Sequence, residues 1–325
     1  MALQFETGTP SSVEDLVNKL QTFAAAHNFT VDNYDATNDE CTIHESNMYV
    51  HFGWDGTGAD LNICQSLGYT PATAIDVMPN DSGNGSATIG IERRVEFLTA
   101  GPWTSYEFYC EDGAGGDPMH IHVVVQISAG IYRHFGFGTI DKINDWTGGE
   151  YAYGHIWEQG ATNIDNPASV SHVFVLDGTS SPSLSNATMH MEGIGLQGGS
   201  EKWGVFGASV TGTDTAGQTR RVLFGGSRDG LWLRFMRHIH NSNLNSYIPI
   251  IPIPVVYRDT GTAPDTWIWL GQQPNVGIVN MNNLSAGDTI TLGGETWVVY
   301  PWARKQHLLA DTEESWNAGI VYRKS

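Results

Sequence analysis

Two stretches of strict alternation constrain this chain more than anything else in it. Tyr106, Phe108 and Cys110 alternate with Glu107, Tyr109 and Glu111, and Ile121, Val123, Val125 and Ile127 alternate with His120, His122, Val124 and Gln126. Successive side chains on a strand point to opposite faces, so each stretch predicts a half-buried β-strand with one apolar face. On that reading His120 and His122 occupy the wetter face. Ser128-Ala129-Gly130 then separates the second stretch from residues 132–140, which predicts the returning arm of a hairpin. Strand-like composition recurs at 87–97, 170–176, 203–210, 220–224, 266–270 and 296–300, with turn signals between nearly all of them. The 38 glycines among 325 residues, well above the usual share of about 7%, supply those turns.

One segment breaks the pattern. Val13, Leu16, Val17, Leu20, Phe23 and Ala24 recur at steps of three and four, and Ser11 with Glu14 has capping-box spacing, which predicts an amphipathic helix over 12–26. The expected class is therefore mainly β: antiparallel, sandwich-like sheets with one N-terminal helix, α+β at that end. Polar stretches at 159–169 and 177–186 suggest a joint near 165. This divides the chain into a helix-plus-β domain, 1–165, and a β-rich C-terminal domain, 166–325.

Charge narrows the range of partners. With 35 acidic and 16 basic residues the formal charge is −19, and the whole-protein field repels phosphate. Nucleic acid is not an expected partner. The deficit is uneven: residues 1–92 hold 13 acids and one base, 93–200 hold 12 acids and four bases, and 201–325 hold 10 acids and 11 bases. Such a gradient suits a solvated acidic face or an electrostatic match between adjoining subunits. The longest apolar run, 248–256, is broken by Pro249, Pro252 and Pro254, so no membrane insertion is expected. Three cysteines without C-x-x-C spacing indicate neither a disulfide framework nor a zinc site, and the first residues lack the pattern of a signal peptide. Synthesis in a reducing cytoplasm is the expectation.

The candidate chemistry is thin. His120 and His122, and again His238 and His240, put two imidazoles two residues apart, and together they could offer four nitrogens to a metal. The bland reading, histidines on a wet strand face, competes directly, and no metal or other cofactor is assigned. Gly225-Gly226-Ser227-Arg228-Asp229-Gly230 departs from the G-x-S-x-G elbow at Asp229, and no phosphate-binding glycine loop is present. The acidic run from Glu111 to Asp117 lacks the alternating ligands of a calcium loop and reads as a solvated turn. No catalytic residue is assigned, and the chain is not expected to be an enzyme. The eleven tryptophans exceed what one core needs, and aromatics gather at subunit contacts and sugar-binding surfaces. Trp267 and Trp269, two apart on a strand, form a candidate platform; Tyr132, Phe135, Phe137, Tyr151 and Tyr153 are the other interface candidates, with packing in the core as the competing role.

Several of these segments together resemble a family of structural proteins of tailed-bacteriophage virions. They are Phe5-Glu6-Thr7-Gly8-Thr9 with the helix that follows, residues 120–140 around Tyr132-Arg133-His134-Phe135-Gly136-Phe137-Gly138, Gly148 to Gly154, Gly293 to Pro301, and Ala318 to Lys324. The resemblance implies a non-enzymatic tail or baseplate component, forming oligomeric rings or stacks with itself and with other virion proteins. A neck, collar or capsid-decorating protein is the alternative, and a module that binds a host-surface glycan is another. It further implies a protein made in the bacterial cytoplasm and located in the particle.

Overall fold

The computed structural model describes residues 3–56, 58–75, 78–79, 93–114, 116–154, 187–192, 203–206, 212–213, 219–224, 249–259, 266–281, 283–301 and 318–325. The first half carries β1 (Leu3–Gly8), α1 (Val13–Ala26), β2 (Thr30–Asp35), β3 (Glu40–Glu45), β4 (Met48–Trp54), β5 (Asp60–Ser66) and β6 (Arg93–Glu96). Next come β7 (Ser105–Glu111), β8 (His120–Ser128), β9 (Ile131–Thr139), β10 (Asp141–Lys142), β11 (Thr147–Tyr153) and β12 (Ala187–Glu192). Short strands β13 (Trp203–Phe206), β14 (Gly212–Thr213) and β15 (Thr219–Phe224) follow. The last are β16 (Ile251–Asp259), β17 (Thr266–Asn280), β18 (Thr289–Leu292), β19 (Glu295–Pro301) and β20 (Ala318–Arg323). The protein is mainly β, with antiparallel sheets and one N-terminal helix.

The helix starts one residue later than its capping signal suggested. Ser12 is the N-cap, its hydroxyl accepting from the Asp15 N–H at 3.1 Å, while the Asp15 carboxylate accepts from the Ser11 N–H at 2.8 Å. The reciprocal pair is Ser11/Ser12 with Asp15 in place of Ser11 with Glu14, because the acid that reaches back must face the preceding turn. All six predicted apolar positions of α1 are buried.

The described strands form two sheets. The smaller runs β2-β3-β4-β5-β6, and the larger runs β1-β7-β8-β9-β11-β12-β13-β15-β16-β17-β20-β19-β18, with β10 pairing β17 and β14 pairing β15. Strands on either side of residue 165 pair directly, since Tyr151 faces Met189 across β11 and β12. The hydrogen-bonded sheet is therefore continuous past the predicted joint. Residues 30–66, which the sequence reading left without strands, supply most of the smaller sheet. The proline-broken run becomes β16, whose pairing with β17 shifts register between Pro252 and Ile253, as expected where a residue has no N–H to give.

Strands β7, β8, β9 and β11 are covered on both faces. Their predicted apolar row, including Phe108, Cys110, Ile121, Val123, Val125, Phe135 and Phe137, packs with α1 and the smaller sheet. The opposite row, including Tyr109, Val124, Tyr132, Tyr151 and Tyr153, packs with residues of β16, β17, β19 and β20, because the larger sheet turns back on itself. The second face is consequently not the solvated face that alternation predicts. Gly136 and Gly138 allow the close approach between β8 and β9: a Cβ on Gly138, at φ +148°, would sit 2.3 Å from the Met119 carbonyl oxygen.

Candidate functional site

The most concentrated set of polar side chains lies inside the turned-back sheet. His120 and His122 are 1% and 0% exposed, and His134 on β9 is 0% exposed. This corrects the wet-face expectation for His120 and His122. Burying an imidazole costs free energy unless both nitrogens find partners, and here they do. His122 Nε2 lies 3.1 Å from the Pro274 carbonyl oxygen and its Nδ1 lies 3.0 Å from the Tyr153 hydroxyl. His134 repeats the arrangement, with Nε2 at 2.9 Å from the Pro301 carbonyl oxygen and Nδ1 at 2.9 Å from the Tyr322 hydroxyl. A carbonyl can only accept, so each Nε2 carries the proton and each Nδ1 accepts from tyrosine. His120 uses the other tautomer: Nδ1 donates to the Pro118 carbonyl at 3.1 Å, and Nε2 faces the Asn275 amide nitrogen at 3.4 Å.

Local backbone shape delivers these partners. Long strand β17 pairs β16 on both sides of an irregularity, and Asn275 sits there at φ +54°, turning the Pro274 carbonyl toward His122. Tyr322 stands at the centre, its ring stacked on Tyr109 at 5.2 Å and beside His122 at 5.4 Å and His134 at 5.9 Å. At the rim, the Tyr109 hydroxyl donates to Glu107 Oε2 at 2.6 Å and lies 2.7 Å from the Tyr300 hydroxyl, which also donates to Glu107.

Burial holds these groups neutral. It pushes His120 down to about 4, and it pushes His122 well below the ordinary imidazole range, with repulsion from His120 adding to the effect. The same desolvation raises the phenols of Tyr109, Tyr151, Tyr153, Tyr300 and Tyr322. What this arrangement does chemically is join two walls of one sheet. Each imidazole lone pair of His122 and His134 already accepts a phenol.

Two further constellations were not read from the sequence. On the outer face of the smaller sheet, His51 lies between Thr42 Oγ1 at 3.0 Å and Ser66 Oγ at 2.7 Å. The spacing is that of a nucleophile and its base, but the Ser66 hydroxyl donates to the Gly68 carbonyl at 2.5 Å. His51 Nε2 is then the donor to Ser66, the reverse of what an activated serine needs. Burial also pushes His51 down to about 4. The available signal was the alternation of Val50, Phe52 and Trp54 with His51 and Gly53. On β12, His190 lies 2.8 Å from Glu150 and 3.2 Å from Glu192. Burial alone would lower it, and the two carboxylates more than offset that, so it is raised.

The other predicted residues fall as follows. Tyr132, Phe135, Phe137, Tyr151 and Tyr153, named above as interface candidates, are core side chains; both faces of their strands are covered, so none reaches the surface. Trp269 is 50% exposed, with its indole N–H donating to the Gly271 carbonyl at 2.7 Å. His238, His240, the side chain of Trp267 and the serine turn at 225–230 lie outside the described residues. Among the described residues, no three His, Cys, Asp or Glu side chains are grouped to hold a metal ion. Within the acidic run, Asp112 closes a turn through the Ala114 N–H at 3.1 Å, whereas Glu111 is 1% exposed. Neither Glu111 carboxylate oxygen has a hydrogen-bond partner. All three cysteines are free and buried. Among the described residues no helix is long and apolar enough to cross a membrane. No protein-family model matches this chain, and no curated protein matches it.

Proposed function

We propose that this chain is a non-enzymatic structural protein of a tailed-bacteriophage virion, a tail or baseplate-associated component that assembles with copies of itself and with other virion proteins. One observation carries the reading: the segments that resemble that family bond to one another. His134 in the 120–140 segment reaches Tyr322 and Pro301 in the two C-terminal segments, and His122 reaches Tyr153 in the 148–154 segment. Residues distant in the chain thus serve one hydrogen-bonded unit, and these polar groups hold its strands together. Reconstruction of purified particles tests this. The reading expects repeated density fitting the turned-back sheet in the tail or baseplate, and it fails if every density is accounted for by other chains.

A second reading is favoured by Trp269 alone. An indole half exposed on a strand, with its N–H satisfied by backbone, leaves a ring free to stack on a sugar. Binding of host-surface polysaccharide that disappears in Trp269→Ala would support a glycan-binding role on the same particle.

A further inference from the structure

We propose that Tyr109, Tyr300 and Glu107 form a redox site, at which a one-electron oxidant leaves a tyrosyl radical while the phenolic proton passes to the Glu107 carboxylate. This goes beyond the virion reading and does not depend on it. Both hydroxyls donate to Glu107 Oε2, that of Tyr109 at 2.6 Å, and the two phenol oxygens lie 2.7 Å apart. Both rings are buried, so a radical formed there is kept from coupling with a second molecule.

Proton balance singles out this group. Taking an electron from a phenol makes its hydroxyl strongly acidic, and the proton needs an acceptor already within hydrogen-bond reach. Desolvation above all, with the Glu107 charge adding to it, raises both phenols, so each is protonated at neutral pH before oxidation. Losing the proton first would set a second negative charge beside Glu107, and losing the electron first would bury a cation. Moving both together avoids each. One phenol and one carboxylate become a phenoxyl radical and a carboxylic acid, the electron goes to the oxidant, and the site passes from one negative charge to none. The other phenol–base pairs of the interior, Tyr322 with His134 and Tyr153 with His122, do not balance in this way. Their proton would rest on an imidazole and leave a buried cation.

The packing of the rings supplies a route to the site. Tyr322 stacks on Tyr109 at 5.2 Å and lies 6.2 Å from Tyr300, and Tyr132, the most exposed ring of the group, lies 5.8 Å from Tyr300. Electrons cross such gaps between aromatic rings without a bond between them, so an oxidant that meets Tyr132 draws its electron from the Glu107 pair. Tyr106 offers a contrast. Its hydroxyl also donates to a carboxylate, Glu6 Oε1 at 2.7 Å, but its ring neighbour at 4.4 Å is Phe108, which has no hydroxyl to oxidise.

Oxidation of the full chain by azidyl radical in pulse radiolysis tests this, the radical taking one electron and becoming azide. The expected result is a tyrosyl signal, by absorption and electron paramagnetic resonance, that outlives the signal of the same chain in urea by about tenfold or more, together with the infrared band of a newly protonated carboxyl. Glu107→Gln keeps both phenols and removes the proton acceptor; it should abolish the carboxyl band and shorten the lifetime to that of the unfolded chain. Replacing both Tyr109 and Tyr300 by Phe should do the same. Tyr300→Phe alone leaves Tyr109 bonded to Glu107 and should keep the band, and Tyr106→Phe should change neither reading. A folded parent chain whose tyrosyl signal decays as fast as in urea overturns the proposal, as does a carboxyl band that survives in Glu107→Gln. Circular dichroism of each variant, matched to the parent, ensures that a lost signal is not a lost fold.

Discussion

The hydroxyl of Tyr322 on β20 lies 2.9 Å from Nδ1 of His134 on β9, although 188 residues separate them in the chain. With the His134 Nε2 contact to the Pro301 carbonyl, this bond fixes how the C-terminal strands lie on the central hairpin. Replacing Tyr322 by Phe keeps the ring and strands a buried acceptor on His134. The expected cost is about 1–3 kcal/mol of unfolding free energy in denaturant titration, the range for a buried polar group left without its partner. An unchanged midpoint would mean that the hydroxyl contributes nothing to the join.

Acid should loosen the fold in a defined window. His51 and His120 are pushed from an ordinary 6.5 down to about 4 in the folded chain. Between those values the unfolded chain binds protons that the folded chain refuses, so stability falls as pH drops from about 6.5 to about 4. Each histidine accounts for about 3 kcal/mol over the window. His190 runs the other way: its raised value means a contribution present below 6.5 and lost as pH rises through the folded value. Denaturant midpoints at pH 7 and 4.5 measure the net slope, and His51→Gln should flatten it.

Gly138 is expected to tolerate no side chain. A Cβ there would meet the Met119 carbonyl oxygen at 2.3 Å and His120 Cα at 2.4 Å, on the strand that presents both buried histidines. Gly138→Ala should cost about 2–4 kcal/mol, in the upper range for single substitutions. Gly130→Ala, at a hairpin turn with open space around its Cα, isolates the left-handed backbone cost alone and should lose about 1 kcal/mol. Equal losses in the two variants would contradict the close-approach explanation.

Glu111 gives a stabilising prediction. Burial, with repulsion from Asp117 and Asp112, raises its carboxyl, and its oxygens have no hydrogen-bond partner. The charged form is therefore disfavoured in the fold at neutral pH. Glu111→Gln should raise stability at pH 8 by about 1 kcal/mol, a gain that shrinks as pH falls and the native carboxyl protonates. A thermal melt series from pH 8 to 4 checks both the gain and its disappearance.

What could be read from the sequence divides along physical lines. Helix α1 and the β8–β9 hairpin were visible because their periodicity is local. The row His120, His122, Tyr109 and Glu107 carried a misleading signal: polar residues at alternate positions usually face water, and here a strand from the far end of the chain covers them. Nothing local to residue 122 announces Pro274 as its partner, 152 residues away. The smaller sheet carried its own alternation, Val50, Phe52 and Trp54 against His51, but it was not read, and nothing local shows that Thr42 and Ser66 would satisfy the buried His51.

Quantitative mass spectrometry of gradient-purified phage particles tests the virion reading most directly. The expected result is this chain in several copies per particle, at a fixed ratio to known tail proteins across independent preparations. Its absence from intact particles, or a ratio that falls with each round of purification, would contradict it.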